Sequence, residues 1–461
     1  MSTHMSRQVR RLGALGSHVA SGIESEAAER AEAAQRRAAE AEWAERRAQE
    51  ASSEREAYEV DVQPGPVHQE HLRNSVHAAS TFPPAPHTAG PIVVISSYTQ
   101  FSDLAHGPRG EEATRAMRSY RLSLVDGSLT LLSVVEEGTM HNPAFSRRHP
   151  SLNVLYACTE SVQQEGQVIA LEIDGRTGAL VEHCPAASAG GTSTCYLTIH
   201  KDARRMLLVN YWDSTICTME MLPDGRLGAL LSTYDPKNGQ EMKASADGHV
   251  NHSRNDAAAQ AERQGDPHSH AIVLEPSSGH IAYVPDLGMD VVRQFYFDEE
   301  SGVMTPCGEI VSGMKTEGQA LGPRYIAFSK RPGDNMCYVV NELSSEVAVF
   351  EFSAEAEAEI RMAVSSCATA EERTAALADS RPTLVLLQTV STIPDAFPRD
   401  MNTCGRVTIH PTGDFVVTSN RSVCCLPALC LCLSLSLSFS LSPNCTAADF
   451  QCGLHTAVTT R

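Results

Sequence analysis

The stretch "HAIVLEPSSGHIAYVPDL", residues 270–287, decides the fold. It reads as a strand, a tight polar turn and a second strand that ends in polar residues. Four other segments repeat the pattern: "AFSRRHPSLNVLYACTE" (144–160), "CYLTIHKDARRMLLVNY" (195–211), "RYIAFSKRPGDNMCYVVNE" (324–342) and "GRVTIHPTGDFVVTSNR" (405–421). Aligned on the turn, the first and last residues of the units lie 16, 16, 17, 18 and 16 positions apart in chain order, and successive units start 51, 75, 54 and 81 residues apart. The two long steps contain polar or Ala/Glu-rich insertions near residues 236–266 and 352–382, which leaves a base period of about 50.

Between units come two more short strands, as in "VVRQFYFD" followed by "GVMTPCGEIV". Four antiparallel strands per repeat, arranged radially, make an all-β propeller, because one blade alone cannot bury both of its faces. The first strand of each unit lines the central channel and the second runs back beside it. The first and last residues of every unit therefore face one opening. The first column is Ala144, Cys195, His270, Arg324 and Gly405; the last is Glu160, Tyr211, Leu287, Glu342 and Arg421. The penultimate column is Thr159, Asn210, Asp286, Asn341 and Asn420, all hydrogen-bonding groups. His270, Arg324, Glu342 and Arg421 are the candidates for chemistry. Glu160, Asn210 and Asp286 can contact a substrate or stabilise strand corners.

Net charge is -19, which argues against nucleic acid and against anionic membranes as partners. A small anionic substrate fits if a few arginines line a local site. No apolar run reaches the roughly 18 residues of a membrane span. Six of the 14 cysteines (Cys424, Cys425, Cys430, Cys432, Cys445, Cys452) fall in the last forty residues, and the other eight are scattered singly. That pattern reads as reduced thiols in a cytoplasmic compartment. The start is basic and free of acids through Gly22, so an organellar transit peptide is the alternative address.

Three regions follow from texture. Residues 1–85 hold an Ala/Glu/Arg-rich stretch, 24–58, with almost no larger apolar residue; a lone solvated helix or disordered extension is expected, and its deletion should leave the fold intact. Residues 86–423 carry the propeller. Residues 424–461 contain "CLCLSLSLSFSLSP", whose alternating Ser-Leu is what a TCTCTC tract encodes. This tail is read as a retained intron or a mispredicted exon. The strands "PIVVISSYT", "RSYRLSLVD" and "SLTLLSVVEE" make three-quarters of a blade, whose innermost strand is expected from the chain's end. The tail is expected to supply neither that closing strand nor the outer half of the fifth repeat nor a further blade, so the propeller is expected to stop short of seven blades, at about five to six, as an open arc with exposed edges.

These residues resemble the lactonase-type seven-bladed propellers, which include bacterial-type 6-phosphogluconolactonases and fungal carboxy-muconate lactonizing enzymes. The resemblance covers about residues 92–421 and is most specific in "RQGDPHSHAIVLEP", "YVPDLGMDVVRQFYFD", "GPRYIAF", "YVVNELSSEVAVFEF" and "IHPTGDFVVTSNR". It implies that His270, Arg324, Glu342 and Arg421 form the catalytic group, the same four that the repeat alignment selects. It also implies that Arg263 and Gln264 approach from an insertion, with His268 nearby as a substrate contact. The implied activity is hydrolysis of a sugar lactone, foremost 6-phosphogluconolactone to 6-phosphogluconate in the pentose phosphate pathway, with no cofactor.

The chemistry suits the residue types. Lactone hydrolysis needs an activated water and stabilisation of a tetrahedral oxyanion. A histidine transfers protons near neutrality, and Glu342 can orient it or act as the base itself. A guanidinium holds an oxyanion or a phosphate. Two other readings stay open: a muconate-type cycloisomerase using the same His and Glu, and a non-catalytic interaction scaffold. His268 and His270, two apart, with His249 and His252 in the adjoining insertion, also admit a metal reading, but no further ligands cluster and none is expected.

Overall fold

The computed structural model of the chain describes residues 90–105, 111–136, 138–237, 260, 263–316, 318–395 and 397–421, with the strands Leu431–Leu433 and Ala457–Thr460. The helix expected over residues 24–58 and the remainder of the 424–461 tail lie outside the described residues.

The described residues form six antiparallel sheets, one per blade. Blade 1 orders its strands Ala457–Thr460, Ile92–Ser96, Met117–Leu122, Leu129–Val134. Its innermost strand is therefore supplied from the far end of the chain, with Val93 opposite Thr459. Blades 2 to 5 each carry four strands in sequence order. They begin with Pro143–Arg148, Thr194–Ile199, Val273–Leu274 and Pro323–Phe328. Blade 6 has three, Cys404–Ile409, Val416–Asn420 and Leu431–Leu433. The insertion near 352–382 forms two helices, α1 (Ala354–Val364) and α2 (Ala370–Leu377). Ser353 caps α1, and a reciprocal Thr369–Glu372 capping box starts α2. Their apolar residues Ile360, Val364 and Leu377 cover Phe350 and Phe352 of blade 5 and Cys307 and Ile310 of blade 4.

The second strands of blades 2, 3 and 4 are buried on both faces, as strands between two neighbours must be. Arg205–Asn210 is buried throughout, and Leu207, Leu208 and Val209 join the main core with Val284 and Val340 of blades 4 and 5. Each such side chain contributes about 1.5–3 kcal/mol on burial.

Five equivalent backbone hydrogen bonds pin the last column of the repeat. Glu160, Tyr211, Leu287, Glu342 and Arg421 donate their N–H groups to the carbonyls of Asn142, Ser193, His268, Gly322 and Thr403. The first column carries an equally regular feature, a one-residue bulge. Pro143 pairs Thr159 but Phe145 pairs Cys158; Thr194 pairs Asn210 but Tyr196 pairs Val209; Pro323 pairs Asn341 but Tyr325 pairs Val340. The same slip lies between Ser269 and Val273 in blade 4 and between Cys404 and Val407 in blade 6. The extra residue is Ala144, Cys195 or Arg324 in the first three cases. A bulge bends the strand and re-aims its side chains. Adjacent residues of a regular strand point to opposite faces. Here Arg324 lies over the ring of its own neighbour Tyr325, 4.7 Å from the centroid. Both therefore reach the channel.

Candidate active site

At one end of the channel, Glu342 is the hub. Its Oε1 accepts from Arg263 Nη1 at 2.7 Å, and its Oε2 faces Arg324 Nε at 2.7 Å and Arg421 Nη2 at 2.6 Å. The carboxylate is 1% exposed and Arg263 is fully buried, whereas Arg421 keeps a third of its side chain open. Arg324 also donates to the Gly405 carbonyl (3.1 Å), and Arg421 to that of Cys404 (2.9 Å). One carboxylate thus joins blades 5 and 6 and the insertion that carries Arg263.

Local backbone sets this up. Asp290 accepts the N–H groups of Leu321 and Gly322 (3.0 and 2.8 Å), which fixes the segment leading to Arg324. Gly322 has φ 61°, and a Cβ there would lie 2.4 Å from Leu343 Cγ, so glycine is required.

Burial by itself would raise the Glu342 carboxyl. The guanidiniums of Arg421, Arg324 and Arg263 outweigh it and hold the group well below the usual carboxylate range. Glu342 is therefore ionised and a very weak base. It faces guanidiniums rather than the imidazole. Of the two roles expected for it, base or orienter of His270, the observed one is a third: it fixes the positions of three cations.

His270 is half-buried between the rings of Tyr211 (4.9 Å) and Tyr325 (5.8 Å), with Nδ1 3.7 Å from Cys195 Sγ. Burial, and then the charge of Arg324, holds its pKa well below the ordinary 6.5. The imidazole is neutral at pH 7 and able to accept a proton. Burial also pushes the Cys195 thiol well above its usual range, so it is not a thiolate nucleophile.

The remaining candidates divide. Glu160 takes a 2.6 Å hydrogen bond from Tyr98 Oη, lies within electrostatic reach of Arg324, and is pushed up by burial. Tyr98 is held there through Asn142, which bonds Thr99 and Gln100. His268 is 4% exposed, stacks on Tyr211 at 4.8 Å, and faces the Tyr211 carbonyl through Nδ1. Asn210 and Asp286 turn the other way. Asn210 is fully buried and bonded to Thr194, Ala189 and Thr215 of its own corner. Asp286 is fully buried against Arg293 (2.8 Å) and the N–H groups of His268 and Gly288. The reason is the strand period: penultimate residues point away from the face that their successors present. Gln264 also stays structural, donating to the Leu287 carbonyl and Asp290. His249 and His252 lie outside the described residues.

A cavity of about 400 Å³ lies beside the site, behind the Glu342 turn, lined by Gln319, Leu343, Ser344, Glu346 and Arg399. Tyr98, Arg147 and Arg406 are channel residues that sequence reading did not single out. Tyr98 lies before the first aligned unit. Arg406 carried a usable signal: it is a charged residue in the repeat's second column, where Phe145, Tyr196, Ala271 and Tyr325 stand in the other units.

Comparison with known proteins gives a concordant result. A family model described as "Lactonase, 7-bladed beta-propeller" matches residues 92–380. A 6-phosphogluconolactonase of Bacillus subtilis (strain 168) is 26% identical over 282 residues, 61% of this chain. The chain spans 64% of the length of that relative. The solved periplasmic gluconolactonase of Pseudomonas aeruginosa is 18% identical, with a TM-score of 0.50 over 72% of this chain and 76% of that one. A solved Lactobacillus plantarum protein is 20% identical, with the same TM-score and coverage. At these identities the two structures speak to the fold.

Proposed function

The chain belongs to the lactonase, seven-bladed β-propeller family, and from that premise we propose that it hydrolyses a sugar lactone, foremost 6-phosphogluconolactone. The observation that carries this reading is the neutral His270 beside a carboxylate-centred group of three arginines. His270 accepts a proton from water as its oxygen bonds to the lactone carbonyl carbon. The carbonyl oxygen gains negative charge, which Arg421 and Arg324 stabilise. Collapse breaks the ring C–O bond, and the imidazolium returns the proton to the departing alkoxide. Lactone and water become a hydroxy acid, with no redox step. Glu342 keeps the guanidiniums in place throughout. The Bacillus subtilis relative, which bears the 6-phosphogluconolactonase name, supports the phosphorylated substrate and with it a place in the pentose phosphate pathway.

The test is a pH-stat assay of the purified chain with 6-phosphogluconolactone and, separately, a carboxy-muconolactone. Hydrolysis of the sugar lactone well above the uncatalysed rate is expected. Turnover of the muconolactone alone would replace the reading with a cycloisomerase. Turnover of neither would leave a binding scaffold.

A further inference from the structure

We propose that Arg406, with Arg147 beside it, forms an anion subsite inside the channel that holds the phosphoryl group of the lactone bound at His270. The proposal rests on the lactonase reading and names the part of the site that selects a phosphorylated substrate.

The arginines at the opening are already committed. Arg263, Arg324 and Arg421 all face Glu342, and two of them also serve backbone carbonyls. They can polarise a carbonyl, but a phosphate there would have to compete with a buried carboxylate. One step further along the inner strands the situation changes. Phe145, Tyr196, Tyr325 and Arg406 occupy the second column of blades 2, 3, 5 and 6, and their side chains meet. The Phe145 and Tyr196 centroids are 4.2 Å apart, and those of Tyr196 and Tyr325 are 5.5 Å apart. The Arg406 guanidinium lies 5.4 Å from the Phe145 centroid and 5.6 Å from that of Tyr325. Arg147 comes to the same platform, 5.4 Å from Phe145 and 5.5 Å from Tyr196.

Among the described residues neither guanidinium has a carboxylate partner. Arg147 donates to the Leu197 carbonyl (3.0 Å) and to Tyr196 Oη (3.1 Å). Arg406 makes no side-chain hydrogen bond among those residues and rests on aromatic faces alone. Cation–π contact holds a guanidinium flat without using its five N–H donors. The donors of Arg406, and those of Arg147 not given to Leu197 and Tyr196, stay available to an acceptor, and a phosphoryl dianion takes them in pairs. In a chain of net charge -19, two uncompensated cations on one aromatic platform mark a place built for an anion. Tyr325 connects this platform to the opening, because its ring also lies 4.7 Å from Arg324 and 5.8 Å from His270. His270 and Arg406 thus flank the same Tyr325 ring, 5.8 and 5.6 Å from its centroid, and in the proposed arrangement the lactone carbonyl sits at the first and the phosphate at the second.

The experiment uses the full chain and its Arg406→Gln, Arg406→Lys and Arg147→Gln variants. Calorimetry reads the affinities for 6-phosphogluconate and gluconate, and kinetics read kcat/KM for 6-phosphogluconolactone and gluconolactone. In Arg406→Gln the preference for the phosphorylated partner should fall at least tenfold in both readouts, with Arg406→Lys intermediate and Arg147→Gln in the same direction. An unchanged preference in folded Arg406→Gln, or no binding of 6-phosphogluconate by the unaltered chain, overturns the subsite. If Arg406→Gln fails to fold, Arg406→Lys and Arg147→Gln decide by the same ratio. Lactone hydrolysis with an unchanged phosphate preference in the variants would sink the subsite and spare the lactonase reading. Phosphate-selective binding lost in Arg406→Gln, without turnover of either lactone by the unaltered chain, would do the reverse.

Discussion

Asp286 and Glu342 are both buried carboxylates held by arginine, each near the end of the second strand of its blade, and they occupy different worlds. Asp286 stands in the penultimate column and faces its own blade, where Arg293 and two backbone N–H groups surround it. Glu342 stands one position later in its unit and faces the channel, where it gathers arginines from two blades and an insertion. A one-residue offset in a strand exchanges faces. The repeat therefore provides two columns of polar residues side by side, one for corners and one for the opening. Tyr211 shows that position alone does not make a site. It shares the backbone setting of Glu342, including the N–H bond to the preceding unit segment and a following serine with positive φ, Ser214 against Ser345. Yet it packs against His268 and His270 instead of holding charge.

Glu342→Gln should break the comparison hardest. It strips the counter-charge from three guanidiniums, two of them largely buried, at a cost of about 3–5 kcal/mol. Lactone turnover should fall about 10²-fold or more in step. Urea denaturation and steady-state kinetics read both, and a stability loss under about 1 kcal/mol would show that the cluster is not the hub described. Asp286→Asn should cost about 2–3 kcal/mol through its buried hydrogen bonds. Its turnover per folded molecule should stay within about twofold, far below the effect of a proton-transfer residue. A kinetic defect at full folding would move Asp286 back among the substrate contacts. Arg324→Lys keeps the charge and loses the planar fork that spans Glu342 and Gly405. A drop in kcat of about tenfold or more is expected for a weakened oxyanion partner; a defect confined to KM would assign Arg324 to ground-state binding. The smallest effect concerns pH. Burial and Arg324 lower the His270 pKa, so the imidazole stays unprotonated through neutrality. Protonation removes its ability to accept a proton, so kcat/KM should be level from pH 8 to 6.5 and fall only at lower pH. An acidic limb centred above 6.5 would contradict the assignment.

Much of this was legible in the sequence because the fold repeats. Five units aligned on their turns placed His270, Arg324, Glu342 and Arg421 at one opening although they are far apart in the chain, and the structure places them there. Blade 1 was legible only in part: three strands with no inner partner require one from the chain's end, but the reading of the tail as aberrant left that strand missing, whereas Ala457–Thr460 pairs with Ile92–Ser96. The bulges were not legible, because a one-residue slip between paired strands leaves no mark in either strand's own sequence. They matter, since they bring both Arg324 and Tyr325 into the channel. Arg263 lies 79 residues from Glu342 in an insertion without periodicity, and only the family resemblance pointed to it. The pairing of three arginines on one carboxylate was hidden for a related reason: a column alignment tells which residues share an opening but not which of them satisfy one another. Asn210 and Asp286 could have been separated from the opening by strand alternation alone.

The central claim is that a neutral His270 at this opening carries the proton in lactone hydrolysis. The most direct measurement is kcat/KM of His270→Ala against the unaltered chain with 6-phosphogluconolactone, on protein whose folding is matched by circular dichroism. A loss of about 10²-fold or more is predicted. Near-normal hydrolysis by the folded variant would contradict the account.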